Sequence, residues 1–309
     1  MAPELRRRKY DIDFSAAIIA AAGSQAQVIP PSLMMVVIAS ISNLSVGALF
    51  LGGVIPGILT SIGLFTVAYI HARRGGAQYR STERFTFDRL AKTFIEALPS
   101  LGMPVIIVGG IVGGIFTPTE AAAVAAIYGL LIGIFIHREL KLKSLQPLFV
   151  KAVAFSAAVL TIIATASILG WLVANANVPE AVGAWLKESV RQPWSYLLLI
   201  NILLMIIGCF MESLAAILIL APVMMPIAIS YGIDPIHFAV VVVMNFAIGL
   251  ITPPFGGCLF VASTVAERTV AQVARKVFWP WFAMTVVLLL VTYIPSLSLY
   301  LPTAVGLLK

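Results

Sequence analysis

The hydrophobic and polar positions of this chain fall into long apolar runs separated by short charged clusters. The runs Phe14 to Val46, Gly47 to Ile70, Phe94 to Phe116, Ala121 to Ile136, Phe149 to Ala174, Tyr196 to Ser230 and Ile236 to Thr264 carry the bulk of the apolar residues. Each approaches or exceeds the roughly 20 residues that a helix needs to cross hydrocarbon, and the length of the chain allows about eight to ten such segments. Two of the runs are interrupted in the same way. Asn245 to Phe260 contains Gly249, Thr252-Pro253-Pro254 and Gly256-Gly257 and lies in a stretch without formal charge between Asp234 and Glu267. Gly23 to Ser32 repeats the construction, with a glycine, polar residues, Pro30-Pro31 and a resumed apolar run from Leu33 to Ile41.

A double proline removes two backbone donors, and with flanking glycines it breaks the helical ladder where hydrocarbon cannot replace the lost hydrogen bonds. Unwound backbone at that depth is tolerated only against protein or a water-filled cavity. Broken helices of this kind expose carbonyls to ions and helix N-termini to anions in secondary transporters, although a proline kink without a ligand reads the same way in isolation. The repeat is wider than the prolines. Tyr10-Asp11-Ile12-Asp13 precedes the first pair as Tyr231-Gly232-Ile233-Asp234 precedes the second, and Pro56 and Pro280 close the two units.

Composition agrees with the pattern and narrows the classes. The 309 residues are 61% hydrophobic and 11% charged with a mean hydropathy of +1.04, whereas soluble domains are about 45 to 50% apolar and about 25% charged. The net charge of +7 sits in clusters between apolar runs, which is the signature of cytoplasmic loops rather than of a nucleic-acid surface. Cys209 and Cys258 form no CxxC, the three histidines are far apart, and no HExxH, GxxxxGK or GxSxG occurs, so enzyme chemistry has no visible foothold.

The charges also orient the chain. Arg6 to Lys9, the segment His71 to Lys92 and the segment His137 to Lys151 are basic and read as cytoplasmic, while Asn175 to Pro193, where the charges cancel, reads as an outer loop. The basic start followed by Phe14 to Ala22 could open a secretory signal, but the run leads into a polar break rather than a cleavage site. With these assignments the two double-proline segments cross in opposite directions. Glu212 is the only formal charge between Arg191 and Asp234, and its segment, Gly208 to Ser213, lacks the basic residues of an inner loop. A re-entrant hairpin over 196–230 fits better, with Glu212 and Ser213 at its tip beside the Thr252 break. An intramembrane carboxylate there is either a cation ligand or a cap on the second hairpin helix.

Several of these segments carry a family resemblance. Gly113-Gly114-Ile115-Phe116-Thr117-Pro118-Thr119-Glu120, Met211-Glu212-Ser213 with the run to Pro222, Gly232-Ile233-Asp234-Pro235 and Gly249-Leu250-Ile251-Thr252-Pro253-Pro254 closely resemble the large membrane subunit of TRAP-type C4-dicarboxylate transporters, the DctM type. The resemblance covers essentially the whole chain. It implies an elevator-type permease of the bacterial inner membrane, driven by sodium, that imports small organic acids. It also implies two protein partners, a periplasmic substrate-binding protein and a small membrane subunit. By the same resemblance one sodium site would use Gly208, Glu212, Ser213, Gly249 and Thr252 next to Pro253, with Ser213, Gly249 and Thr252 as the metal candidates. The other would use Gly23, Ser24, Ile29 and Ser32. No cofactor other than the coupling ion is expected.

The expected fold is therefore an all-α integral membrane protein, a polytopic bundle with inverted repeats, broken helices and a re-entrant hairpin. Residues 1–72 form a partial first repeat broken at 23–32, residues 73–193 supply connecting and scaffold helices, and residues 194–309 form the second repeat broken at 249–257. The chain departs from the family pattern at three places. Members are usually longer at the N-terminus, so a first hairpin and half of the first sodium site are expected outside this chain. Ala26, flanked by Gln25 and Gln27, stands where a second glycine is usual, and Cys258 stands where asparagine is common. A stand-alone divalent-anion symporter and a non-transporting scaffold are the alternative functions.

Overall fold

The computed structural model describes residues 10–75, 79, 86–190 and 192–308. The basic run Arg6 to Lys9, and Arg80, Arg84 and Arg191 of the charge pattern, lie outside the described residues. Helices make up the fold, with no strand among the described residues. In chain order they are α1 (Ile12–Ser24), α2 (Leu33–Ile41), α3 (Val46–Arg74), α4 (Phe87–Val112), α5 (Pro118–Leu131, extended by a π turn Ile132–Ile136) and α6 (Leu142–Asn175). There follow α7 (Val178–Ser189), α8 (Pro193–Phe210), α9 (Ser213–Ser230), α10 (Pro235–Gly249), α11 (Gly257–Val265), α12 (Val270–Tyr293) and α13 (Ser296–Ala304). Seven of these are long and apolar enough to cross a membrane, namely α3, α4, α5 with its π turn, α6, α8, α9 and α12. The chain is thus an all-helical, multi-pass membrane protein.

The helices begin where the sequence supplies an acceptor for otherwise orphaned N–H groups. Asp11 accepts from Phe14, Ser45 from Ala48, and Asp234 from Ile236 and His237. Thr117 with Glu120 and Thr269 with Gln272 form reciprocal capping boxes at α5 and α12.

Two compact units result, Met1–Arg80 with Ile168–Lys309 and, separately, Ser81–Ser167. In the second, α4 packs on α5, and the Tyr128 hydroxyl donates to the Pro99 carbonyl at 2.8 Å. Gly102 faces that hydroxyl, which a Cβ at this position would strike. The first unit is built around α10. Every residue from Ile236 to Gly249 is buried, which explains why this helix has no polar stripe: a helix covered all round has no face to leave polar. It is enclosed by α8, α9, α12 and α3, while α1 packs on α11 and α12 and α2 packs on α9.

One expected loop is a helix. Within Asn175 to Pro193, read as an outer loop from its cancelling charges, the structure forms α7, opened by Pro179 in its first turn. Pro179, Gly183 and Leu186 are buried at spacings of four and three, and α7 packs against α9, where a Cβ on Gly183 would stand 3.6 Å from Ile227. Mixed charges at the polar positions hid an apolar stripe of helical period.

Candidate functional site

The second break forms where α10 ends at Gly249. The chain turns through Leu250 to Gly256, with a cis Pro253–Pro254 peptide, before α11 resumes at Gly257. Because the prolines cannot donate, the last turn tightens, with Ile251 N–H donating to the Ile248 carbonyl at 3.1 Å and Thr252 N–H to Gly249 at 3.0 Å. The Leu250 carbonyl bridges the gap by accepting from Cys258 at 3.0 Å and Leu259 at 3.3 Å. Among the described residues the Ile251 carbonyl takes no backbone hydrogen bond. The Thr252 hydroxyl donates to Ile248 O at 2.7 Å and accepts from the Trp281 indole at 3.1 Å. A hydroxyl has one proton and two lone pairs, so the Thr252 oxygen has one acceptor site beyond these two bonds, with the Cys209 thiol beside it.

The bend between α8 and α9 lies against this break. An ideal Cβ built on Gly249 would fall 2.8 Å from the Cα, C and O atoms of Gly208, so the two backbones touch. Gly208 precedes the end of α8 by two residues, and its carbonyl takes no backbone hydrogen bond from beyond the helix. Met211 and Glu212 are extended, and Glu212 is the N-cap of α9, its carboxylate accepting from Ala215 N–H at 3.0 Å. Of the two roles left open for it, the cap is the one the geometry displays. Ser213 is buried in the first turn of α9, and no hydrogen bond joins it to Thr252 among the described residues.

At the first break α1 ends at Ser24, a 3-10 turn covers Gln25–Gln27, and α2 starts after a cis Pro30–Pro31 peptide. Ser24 is fully buried and donates to Ala21 O at 2.9 Å. Ser32 caps α2, accepting from Met35 N–H while donating to Gln27 O. Ile29 is exposed on one side and packs its side chain over Gly57 of α3, where a Cβ would meet Ile29 Cγ1 at 2.8 Å. Gly53, one turn earlier, gives the same room to Val28 O and Met35. The side-chain carbonyls of Gln25 and Gln27, the residues that depart from the family pattern, are buried and meet no donor among the described residues.

A cavity of 440 Å³ between α1 and α11 touches both breaks through Gly23, Leu250 and Gly257. Its walls are almost wholly apolar, and no charged side chain lines it. No group of three or more His, Cys, Asp or Glu side chains that could hold a metal occurs among the described residues. The oxygen groups at the breaks are carbonyls, hydroxyls and the Glu212 carboxylate, and oxygen donors suit a hard cation.

Sequence reading missed a buried polar chain behind the second break. Asn245 donates to Asn201 at 2.7 Å and to Val241 O at 2.9 Å, and Asn201 donates to Thr292 at 3.0 Å. His237 contacts Ser298 at 2.8 Å and Thr292 O at 3.2 Å. Single polar residues inside long apolar runs were the available signal for the two asparagines. Trp281 gave none, because an aromatic in an apolar helix reads as core.

The comparisons with known proteins give the family. The family model of the DctM component of tripartite ATP-independent periplasmic transporters matches residues 1–297. The chain belongs to that family. It is 44% identical over 302 residues to an isethionate TRAP transporter permease protein, DctMQ, of Oleidesulfovibrio alaskensis, covering 96% of this chain and 47% of that protein. It is 40% identical over 301 residues to the C4-dicarboxylate TRAP transporter large permease protein DctM of Pseudomonas aeruginosa, covering 97% and 70%. It is 37% identical over 298 residues to the sialic acid TRAP transporter large permease protein SiaM of Vibrio cholerae, covering 96% and 69%. The chain thus spans about half the length of the first relative and about 70% of the other two.

Proposed function

We propose that this DctM-family chain is the large permease component of a sodium-coupled transporter of the bacterial inner membrane. It imports small organic acids delivered by a periplasmic binding protein, together with a small membrane subunit. The observation that carries the reading is the backbone contact of Gly208 with Gly249, where a bend meets a broken helix and where, among the described residues, the nearby Gly208 and Ile251 carbonyls take no backbone hydrogen bond from outside the helices. Oxygen ligands without formal charge fit sodium, and their assembly from two elements gives the ion a means of ordering both. Gly23, Ser24, Ile29 and Ser32 form the corresponding second site, and Ser213 the hydroxyl nearest the bend in sequence. Residues 1–72 and 194–309 act as inverted repeats and 73–193 as the connecting scaffold of an elevator-type carrier.

The named relatives take isethionate, C4-dicarboxylates and sialic acid, all organic anions, which supports an anionic substrate. The cavity supplies no cationic side chain, and helix N-termini and hydroxyls are able to hold a carboxylate without one. The test is reconstitution in proteoliposomes with the cognate small subunit and binding protein, measuring labelled organic-acid uptake under an inward sodium gradient. Uptake should require the gradient and all components. Equal uptake without the binding protein would replace this reading by a stand-alone symporter, and uptake unaffected by collapsing sodium would remove the coupling.

A further inference from the structure

We propose that the end of the first unit carrying Arg74 binds the headgroup of an anionic phospholipid from the cytoplasmic leaflet. A cavity of 190 Å³ opens there between α1, α3 and α12, lined by Phe14, Val67, Ile70, His71, Arg74 and Trp279. Its construction is graded. Val67 and Ile70 are apolar, Phe14 and His71 stack with ring centroids 3.6 Å apart and planes inclined by 9°, and Arg74 in the last turn of α3 supplies a cation.

Three neighbouring cations are engaged elsewhere, and Arg275 lies outside the cavity. Lys276 pairs with Asp11 at 3.2 Å, Arg268 with Asp13 at 3.0 Å, and Arg73 lies over the Tyr69 ring at 5.1 Å. The His71 ring turns its Nε2 toward Asp11 at 3.8 Å. Arg74 has no ion-pair or hydrogen-bond partner among the described residues, so its guanidinium can place two N–H groups on one phosphate.

Size decides what sort of anion fits. The cavity is below the roughly 300 to 1,000 Å³ of a site that encloses a drug-sized ligand, so it holds a headgroup-sized anion, and any larger ligand must extend outside it. A bilayer lipid has that shape. Trp279 is 60% exposed beside the cavity, with Phe278, Tyr69 and Ile70 also exposed nearby, which is the aromatic surface expected at the level of the headgroups. The phosphate would sit on Arg74 and the upper acyl chain would run along Ile70, Val67 and Trp279. The basic loops place this end at the cytoplasmic leaflet, whose anionic lipids attract it further.

The experiment is native mass spectrometry of the full chain in detergent, titrated with dioleoylphosphatidylglycerol and, separately, dioleoylphosphatidylcholine. The first phosphatidylglycerol should bind tighter than phosphatidylcholine. Arg74→Gln should weaken it by about tenfold, as expected for loss of a charge-assisted pair, while Arg275→Gln, at the same end but outside the cavity, should stay within about twofold. Trp279→Ala should weaken both lipids. Equal weakening by Arg74→Gln and Arg275→Gln would reduce the effect to diffuse surface charge and overturn the site, as would wild-type protein that does not distinguish the two lipids. Arg74 is exposed, so its variant keeps the fold, and an unchanged melting temperature in detergent checks this.

Discussion

Gly208 and Gly249 are in backbone contact, with an ideal Cβ on Gly249 only 2.8 Å from three main-chain atoms of Gly208. The bend after α8 and the break after α10 are therefore held at a distance that neither could keep with a side chain present. Gly249→Ala forces main chain away from main chain, and overpacking of this kind costs about 1 to 3 kcal/mol. The melting temperature in detergent should fall, and sodium-dependent uptake with it. Gly23→Ala is the control, since nothing lies within 4 Å of the added methyl, and its stability should be unchanged or slightly raised.

Thr252 and Trp281 are predicted to act together. Thr252→Val keeps the shape but removes the hydroxyl, and loss of one ligand worth about 1 to 3 kcal/mol should raise the half-saturating sodium concentration about five- to a hundredfold, with Thr252→Ser restoring most of it. Trp281→Phe frees a lone pair but releases the side chain that orients it. A double-mutant cycle of the two, read from uptake against sodium, should give a coupling of about 0.5 kcal/mol or more, and strict additivity would separate Trp281 from the site.

Glu212 gives the contrast expected of a cap. Glu212→Ala removes the acceptor for Ala215 N–H and should cost about 0.5 to 2 kcal/mol of stability, leaving the sodium dependence of uptake as it was. A large shift in sodium dependence with unchanged stability would make the carboxylate a ligand instead.

The buried amide pair should be more sensitive to removal of one partner than of both. Asn245→Leu strands the Asn201 carbonyl in a fully buried place, at about 1 to 3 kcal/mol, whereas Asn201→Leu with Asn245→Leu removes much of that polar requirement. Melting temperatures of the two single variants and the double variant decide it, and a double variant as unstable as the sum of the singles would argue against a shared bond.

Asp11 predicts an acid limb in the stability profile. Burial raises its carboxyl pKa, but the Phe14 N–H and the Lys276 ammonium outweigh this and leave it below the usual value of 3.8. A depressed folded value means that its stabilisation is present above the unfolded value of about 3.9 and is lost as pH falls through the lower folded value. Melting measured from pH 6 down to pH 3 should fall at the acid end, and Asp11→Asn, which keeps the cap but not the charge, should flatten that part of the curve.

The sequence alone determined the class of the protein and the position of its irregularities. Long apolar runs and basic clusters require membrane helices, and Pro30-Pro31 and Pro253-Pro254 require breaks, because hydrocarbon leaves the backbone no other partner. Motif resemblance added the family. What the sequence could not carry was whatever depends on approach between distant segments. That Gly208 needs to be glycine because of Gly249, that Trp281 holds Thr252, and that Asn201 answers Asn245 are consequences of how α8, α10 and α12 pack, and within an apolar run each of these residues looks like ordinary helix. The helix α7 was misread for a related reason: its few apolar positions acquire meaning only against α9, where Gly183 meets Ile227.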